Sequence, residues 1–395
     1  MILSGVRVIC FGMGGAAPLA TAILSDFGAE VIKVEPPGGD WSRTTPGLGT
    51  REFNRNKKGV AIDLKKPEGA ALARRLVAKA DVVMESFRPG VMSRLGLGYE
   101  QVKELNPRIV YCSLSAFGQT GPWKDKPGVD GIIQAASGIM SVLGDEGDED
   151  RDPIKVPFPI VDMTGGLIAA QGILLGLIAR DRYGIGQHVD VSLLECALVI
   201  QKSLLTRYMS TGRLPAKTGS RAPYATPNEA YRTKDGYIML AAYTPDRWRA
   251  LCRNVLNMPE LENDERFAQR NKRQEHQKEL KAIIESVLVT RTSEEWLRIC
   301  EENDIMCSPI NTYDKVVELE QVEARNAIET IEFPDGRTMR TIAPAPRFSE
   351  TPGKVVSPYP EFIGQHTREV LLAEGLTEEE IRDLQQKGVI QCHQP

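Results

Sequence analysis

Along the first half of the chain, short apolar runs alternate with stretches of helical spacing. Runs at 6–11, 30–35, 60–64, 81–85 and 108–115 are bounded by glycine, charge or turn residues, which predicts buried strands. Between them, helical spacing predicts helices from Pro18 to Phe27, from Pro67 to about Lys79, and over 99–105. Pro18 and Pro67 suit a first helical turn, where the missing N–H costs nothing, and Gly28 suits the position just past a helix end. This alternation predicts an α/β fold with a mostly parallel sheet covered on both faces. Ligands of such sheets bind beyond the carboxyl ends of the strands.

Further on, the pattern predicts a helix at 130–143, an acidic loop at 145–152, a strand at 187–192 and a long helix at 193–209. Composition shifts near Thr211. A basic, proline-containing stretch at 213–227 precedes a hairpin over 228–242, with Lys234-Asp235-Gly236 as its turn. Helices are expected near 246–256, 277–289 and 293–303, the last starting on Ser293 without a strict capping box. A second hairpin spans 330–342, and helices follow at 367–373 and 377–386, the latter opened by the capping box Thr377-x-x-Glu380. The expected organisation is a large domain at 1–210, a linker at 211–227, a smaller α+β domain at 228–325, and a return segment at 326–395 that joins the large domain.

The net charge of -4 over 395 residues points to no nucleic acid or anionic membrane as partner. Seven scattered cysteines without a CxxC fit reduced thiols in a cytoplasmic protein. The four histidines are far apart and suggest no metal site. No signal peptide is apparent. The apolar run at 165–179 is broken by Gln171 and glycines, so a buried helix is expected there and not a membrane span.

One stretch carries candidate chemistry. Val156-Pro157-Phe158-Pro159-Ile160-Val161 runs into Asp162, and Gly165-Gly166 and a long apolar segment follow. A lone aspartate at such a junction is either a helix N-cap or a reactive carboxylate. Gly12-x-Gly14-x-x-Ala17 with Glu35 at the end of the second strand matches a dinucleotide fingerprint. That admits an NAD-dependent dehydrogenase, although glycine-rich first turns also serve folds that bind other ligands. Lys65, Ser86, Phe87, Arg88 and Arg94 fall at or just past predicted strand ends, where they form either an anion site or a solvated basic surface.

Several short motifs then occur in a fixed order: Ala29-Glu30-Val31-Ile32-Lys33-Val34-Glu35, Asn54-Arg55-Asn56-Lys57-Lys58, Asp63-Leu64-Lys65, Phe87-Arg88-Pro89-Gly90, Gly118-Gln119-Thr120-Gly121-Pro122, Asp162-x-x-x-Gly166, Lys234-Asp235-Gly236-Tyr237 and Gly364-Gln365-His366-Thr367. With these the chain resembles, over nearly its whole length, the class III CoA-transferase family, the carnitine, bile-acid and formyl-CoA transferase group. The resemblance implies a Rossmann-like large domain, a small domain and an interlocked, ring-shaped homodimer. It places the catalytic aspartate on Asp162 and the CoA contacts on Ala16, Ile62, Lys65, Ser86, Phe87, Arg88 and Arg94. Coenzyme A enters as substrate, as acyl-CoA, with a small carboxylic acid as the other partner and no permanently bound cofactor.

The implied reaction passes through a mixed anhydride and an aspartyl-CoA thioester, with amides of Gly165-Gly166 or the adjoining turns stabilising the oxyanion. Related acyl-CoA racemases carry a histidine where this chain has Val129, before Asp130, which argues for transfer over α-proton exchange. Asp130 is expected either to orient substrate or to cap its own helix. The glycine-rich loop of formyl-CoA transferase is replaced by Ala241-Ala242-Tyr243-Thr244. Arg221, Tyr224 and Tyr243 could contact the acid, with surface roles the plainer expectation. An acyl-CoA racemase or epimerase and a non-catalytic CoA-binding protein remain as alternatives.

Overall fold

The computed structural model of the chain describes residues 1–44, 49–148 and 150–393, so part of the acidic loop expected at 145–152, and of the glycine- and proline-marked stretch 38–51 that reads as a loop, lies outside the described residues. The chain divides into two compact units, one of residues 1–140, 155–213 and 320–395, the other of residues 141–154 and 214–319.

The larger unit is built on a sheet of seven strands. These are β1 (Arg7–Cys10), β2 (Glu30–Glu35), β3 (Lys57–Ile62), β4 (Val82–Glu85), β5 (Val110–Ser115), β6 (Gln187–Ser192) and, from the end of the chain, β12 (Ile390–Gln391). Their order is β12-β3-β2-β1-β4-β5-β6, all parallel except β12, which runs antiparallel to β3. Strand order reverses between β1 and β4, so the crevice beyond their carboxyl ends is the place where such a sheet takes a ligand.

Alternate side chains of each strand go to opposite faces. Ile9, Phe11, Ile32, Val34, Val60, Ile62, Val83 and Tyr111 pack with the helices Pro67–Ala78, Tyr99–Leu105 and Thr367–Ala373. On the other face lie the helices Ala16–Asp26 and Ile160–Tyr183, the latter long and apolar enough, by length and composition, to cross a membrane. Glycines seat it in the layer instead: a Cβ on Gly165 would meet Leu193 at 2.5 Å, one on Gly166 the Ala16 carbonyl oxygen at 2.8 Å, and one on Gly176 Val110 at 2.6 Å. The same unit holds the hairpin of β10 (Ile328–Glu332) and β11 (Thr338–Ile342).

The smaller unit holds the antiparallel sheet of β7 (Asn228–Arg232), β8 (Tyr237–Ala241) and β9 (Met306–Pro309), packed with helices through Tyr231, Ile238, Leu240, Trp248, Leu280, Ile284 and Trp296. Residues 141–154 belong here, although they lie inside the stretch expected as the large domain. The reason is local: Lys217 Nζ donates to the Asp148 carbonyl, Gly219 N to the Gly144 carbonyl, and Arg221 pairs with Glu146.

Several expectations need correction. The basic stretch 54–59, which reads in the sequence as a turn before the strand expected at 60–64, is a shorter turn, because Asn56 takes φ +58° and β3 starts at once with Lys57. The helix from Asp130 stops at Ala136, and Gly138 turns the chain with φ +87°. The long helix at 193–209 is two helices, Leu193–Ile200 and Lys202–Thr211. The helix at 293 does have a full capping box: Thr292 and Glu295 bond reciprocally, one residue before the expected start.

Candidate active site

The helix Ile160–Tyr183 begins earlier than its apolar pattern suggested, which puts Asp162 inside its first turn. Its N-terminal amides need an acceptor, and Asp162 does not supply it. Asp130 does, from a different helix: its Oδ2 accepts from Val161 N at 2.8 Å and Asp162 N at 3.2 Å. Gln134, one turn on, donates to Asp130 Oδ1 at 2.5 Å and clips the backbone of Val156 through both ends of its amide. Asp130 therefore caps the aspartate helix across the chain, not the helix it starts. Sequence reasoning missed this, and the four-residue spacing of Asp130 and Gln134 was the only local signal.

Freed from capping, the Asp162 carboxylate lies against the glycine turn. A Cβ on Gly15 would sit 3.2 Å from Asp162 Oδ2, tighter than an ordinary contact, so a larger residue in the turn would make the carboxylate give way by a few tenths of an ångström. No described residue donates a hydrogen bond to this carboxylate. Burial, and then the like charge of Asp130, push its pKa from 3.8 to about 6.

The turn itself is pinned from elsewhere. Met13 N donates to Ser86 Oγ at 3.2 Å, joining the carboxyl ends of β1 and β4 at the switch point. Gly14 N donates to Asp40, which takes a 2.5 Å hydrogen bond from Lys33 Nζ. Glu35, the acid a ribose hydroxyl would need, is buried and bound by Arg43 at 2.8 Å and by Lys33, which removes the support for the dinucleotide reading. The amides of Gly15 and Ala16 make no hydrogen bond to described residues. Gly165 and Gly166, expected as oxyanion donors, lie within the helix ladder and are packed against its neighbours.

The predicted CoA residues divide by exposure. Ala16 opens the helix Ala16–Asp26 beside Gly165 and Gly166, within a turn of Asp162. Ser86, Phe87 and Arg88 line a pocket of about 290 Å³ with Lys124, Lys126 and Val129. Lys65, Arg88 and Arg94 are exposed and pair with no described carboxylate. Ile62 is different: it is fully buried and presents no surface to a ligand. Behind the pocket, Glu85 Oε2 accepts from Phe87 N at 2.8 Å and so shapes the loop; burial pushes its pKa up to about 7.

The structure thus brings together a carboxylate without a donor at a parallel-sheet switch point and, beyond the strand ends, cations that pair with no described carboxylate. Residues 3–367 match CoA-transferase family III, and the chain belongs to that family. It is a CoA-transferase, and CoA thioesters and acids are its class of substrate. It is 36% identical to succinate–glutarate CoA-transferase of Agrobacterium fabrum, covering 93% of this chain and 94% of that protein. It is 37% identical to succinyl-CoA–D-citramalate CoA-transferase of Chloroflexus aurantiacus, covering 98% of each. A crystal structure of a CAIB/BAIF family protein from Brucella suis matches with TM-score 0.82 and 32% identity, over 94% of this chain and 99% of that one.

Proposed function

We propose that Asp162 is the covalent nucleophile of an acyl-CoA:carboxylate CoA-transferase. The observation that carries this is the division of labour between two carboxylates: Asp130 takes the helix cap, and Asp162 is left without a donor at the glycine turn. Asp162 attacks the thioester carbonyl of the donor, forming a mixed anhydride and releasing CoA thiolate. The thiolate attacks the aspartyl carbonyl, the donor acid leaves, and an aspartyl-CoA thioester remains. The acceptor carboxylate attacks that thioester and displaces the thiolate, which takes the acceptor acyl group and restores Asp162. One thioester replaces another, so no external energy source enters.

The free amides of Gly15 and Ala16, at a helix start, suit the oxyanion. Lys65, Arg88 and Arg94 are placed to meet phosphates, with Ser86, Phe87 and Ala16 along the carrier. Ile62 acts from the core, as support for β3. A succinyl donor with a dicarboxylic or hydroxy acid acceptor fits the relatives' names. We place the enzyme in the cytoplasm as a homodimer of interlocked chains, each with a Rossmann-like large domain.

Racemisation would need a proton-transfer group where Val129, 66% exposed, lines the Ser86–Arg88 pocket; deuterium wash-in at the α-carbon checks this. The test of the nucleophile is incubation with acyl-CoA, trapping with hydroxylamine or borohydride, and peptide mapping. A mass change on Asp162 is expected, and a modified peptide lacking Asp162 rejects the assignment.

A further inference from the structure

The smaller unit contains a second concentration of uncompensated positive charge. Arg273 is only 3% exposed, and no described carboxylate pairs with it. Its guanidinium donates to the carbonyls of Thr226 (3.1 Å) and Phe267 (2.8 Å), and at 3.4 Å to those of Ala268 and Tyr243. Carbonyls satisfy N–H groups but leave the charge in place, and a buried charge without a partner is costly. Arg270 stands beside it, donates to the Tyr224 carbonyl at 2.8 Å, and also has no described carboxylate partner. Burial, together with the Arg270 charge, holds Arg273 below the usual arginine value.

Both arginines line an open pocket of about 460 Å³. That volume is in the range of small-molecule sites. Its other charges cancel: Arg249 pairs with Asp246, and Glu262 with Arg253. The excess is therefore that of Arg270 and Arg273. Two rings complete the wall, Trp248 stacked on Arg273 at 4.7 Å and Tyr243 near Arg270 at 5.8 Å. The buried Trp248 Nε1 has no acceptor among the described residues.

We infer that this pocket is a binding site for a small oxyanion, a carboxylate or a phosphate, held between Arg270 and Arg273. Arg270, with a single bond to a carbonyl, keeps N–H donors for such a group, and the anion supplies the counter-charge that the carbonyl-bound Arg273 lacks. The site lies wholly within the smaller unit. It does not depend on the chemistry at Asp162, because acyl exchange can fail while the pocket still binds its anion.

The test is calorimetric titration of the full chain with glutarate and, separately, with inorganic phosphate, at constant ionic strength. Saturable binding of at least one is expected, and which one binds identifies the source. Arg270→Gln, and Ala268→Glu at the pocket wall, are each expected to weaken it about tenfold or more, with ligand-free thermal midpoints near the wild-type value. Ala268→Glu supplies a counter-charge while leaving both arginines in place. Absence of binding by either anion overturns the inference. So does binding of equal strength in both variants, which assigns the anion to another site.

Discussion

Two carboxylates, Asp40 buried and Asp162 half-buried, touch the same glycine turn and are treated in opposite ways. Asp40 accepts from Gly14 N, and although burial pushes its pKa up, the Lys33 charge and hydrogen bonds from Lys33 and Ser42 outweigh burial and hold it below the usual value. Asp162 lies against Gly15 with no cation and no donor among the described residues, and its pKa is pushed up to about 6. One acid is spent on holding the turn; the other stays available for chemistry. The difference teaches that charge compensation is kept one residue away from the reactive position, where a cation would quench the nucleophile.

The comparison breaks most sharply on the chemistry. Asp162→Ala is expected to lower acyl exchange by roughly a thousandfold or more, while circular dichroism stays that of the folded wild type. Full activity in that variant ends the covalent mechanism. The next largest effect is on stability. Asp40→Ala takes the nearer of two carboxylate partners from Lys33, which is 2% exposed and keeps only Glu35 at 3.6 Å, and is expected to cost about 3 kcal/mol in urea unfolding.

Asp162→Asn should do the reverse of Asp40→Ala. The raised native pKa means that the native state holds a proton between pH 3.8 and about 6 that the unfolded chain has lost, so wild-type stability falls as pH rises through that window. Asparagine escapes this. It should stabilise on the order of 1–2 kcal/mol at pH 7.5, allowing for solvent at the half-buried group, and by nearly nothing below pH 4.

Smaller effects sharpen the picture. Asp130→Ala removes a helix cap, at about 0.5–2 kcal/mol. It also removes the like charge beside Asp162, so the acid limb of kcat/KM, expected near pH 6 in the wild type, should move to lower pH. Smallest of all, Lys65→Gln and Arg94→Gln should each raise KM for acyl-CoA about three- to tenfold, an effect that shrinks as salt rises.

What could be read from the residues follows physical range. Apolar runs announced β1, β4 and β5, because a strand buried on both faces is mostly apolar, whereas β6, with Gln187, His188 and Asp190 partly or fully exposed, shows no such run. Hairpin turns and the Thr377 capping box were equally plain, being local. The two-residue β12 has too few residues to show a pattern, and β9 is largely exposed. Lys57 read as part of a basic turn, yet its Nζ is buried on the carbonyls of Pro18 and Phe53. Gly165 and Gly166 looked like backbone donors because the partners that need their smallness, Leu193 and Ala16, lie far off in sequence. The separation of capping acid from free acid was beyond reach for the same reason: Asp130 meets its helix across 31 residues.

The outer edge of β3 is completed by the end of the chain. Gly59 N donates to His366 Nδ1, Ala61 N to Thr367 Oγ1, and Asp63 N to the Val389 carbonyl, where β12 pairs with Ile62. During synthesis that edge stays bare until residues 364–391 leave the ribosome, and a bare edge is a template for pairing with a neighbour. A nascent or prematurely terminated chain lacking 364–391 thus carries a ready nucleus for aggregation, whatever the state of its catalytic machinery.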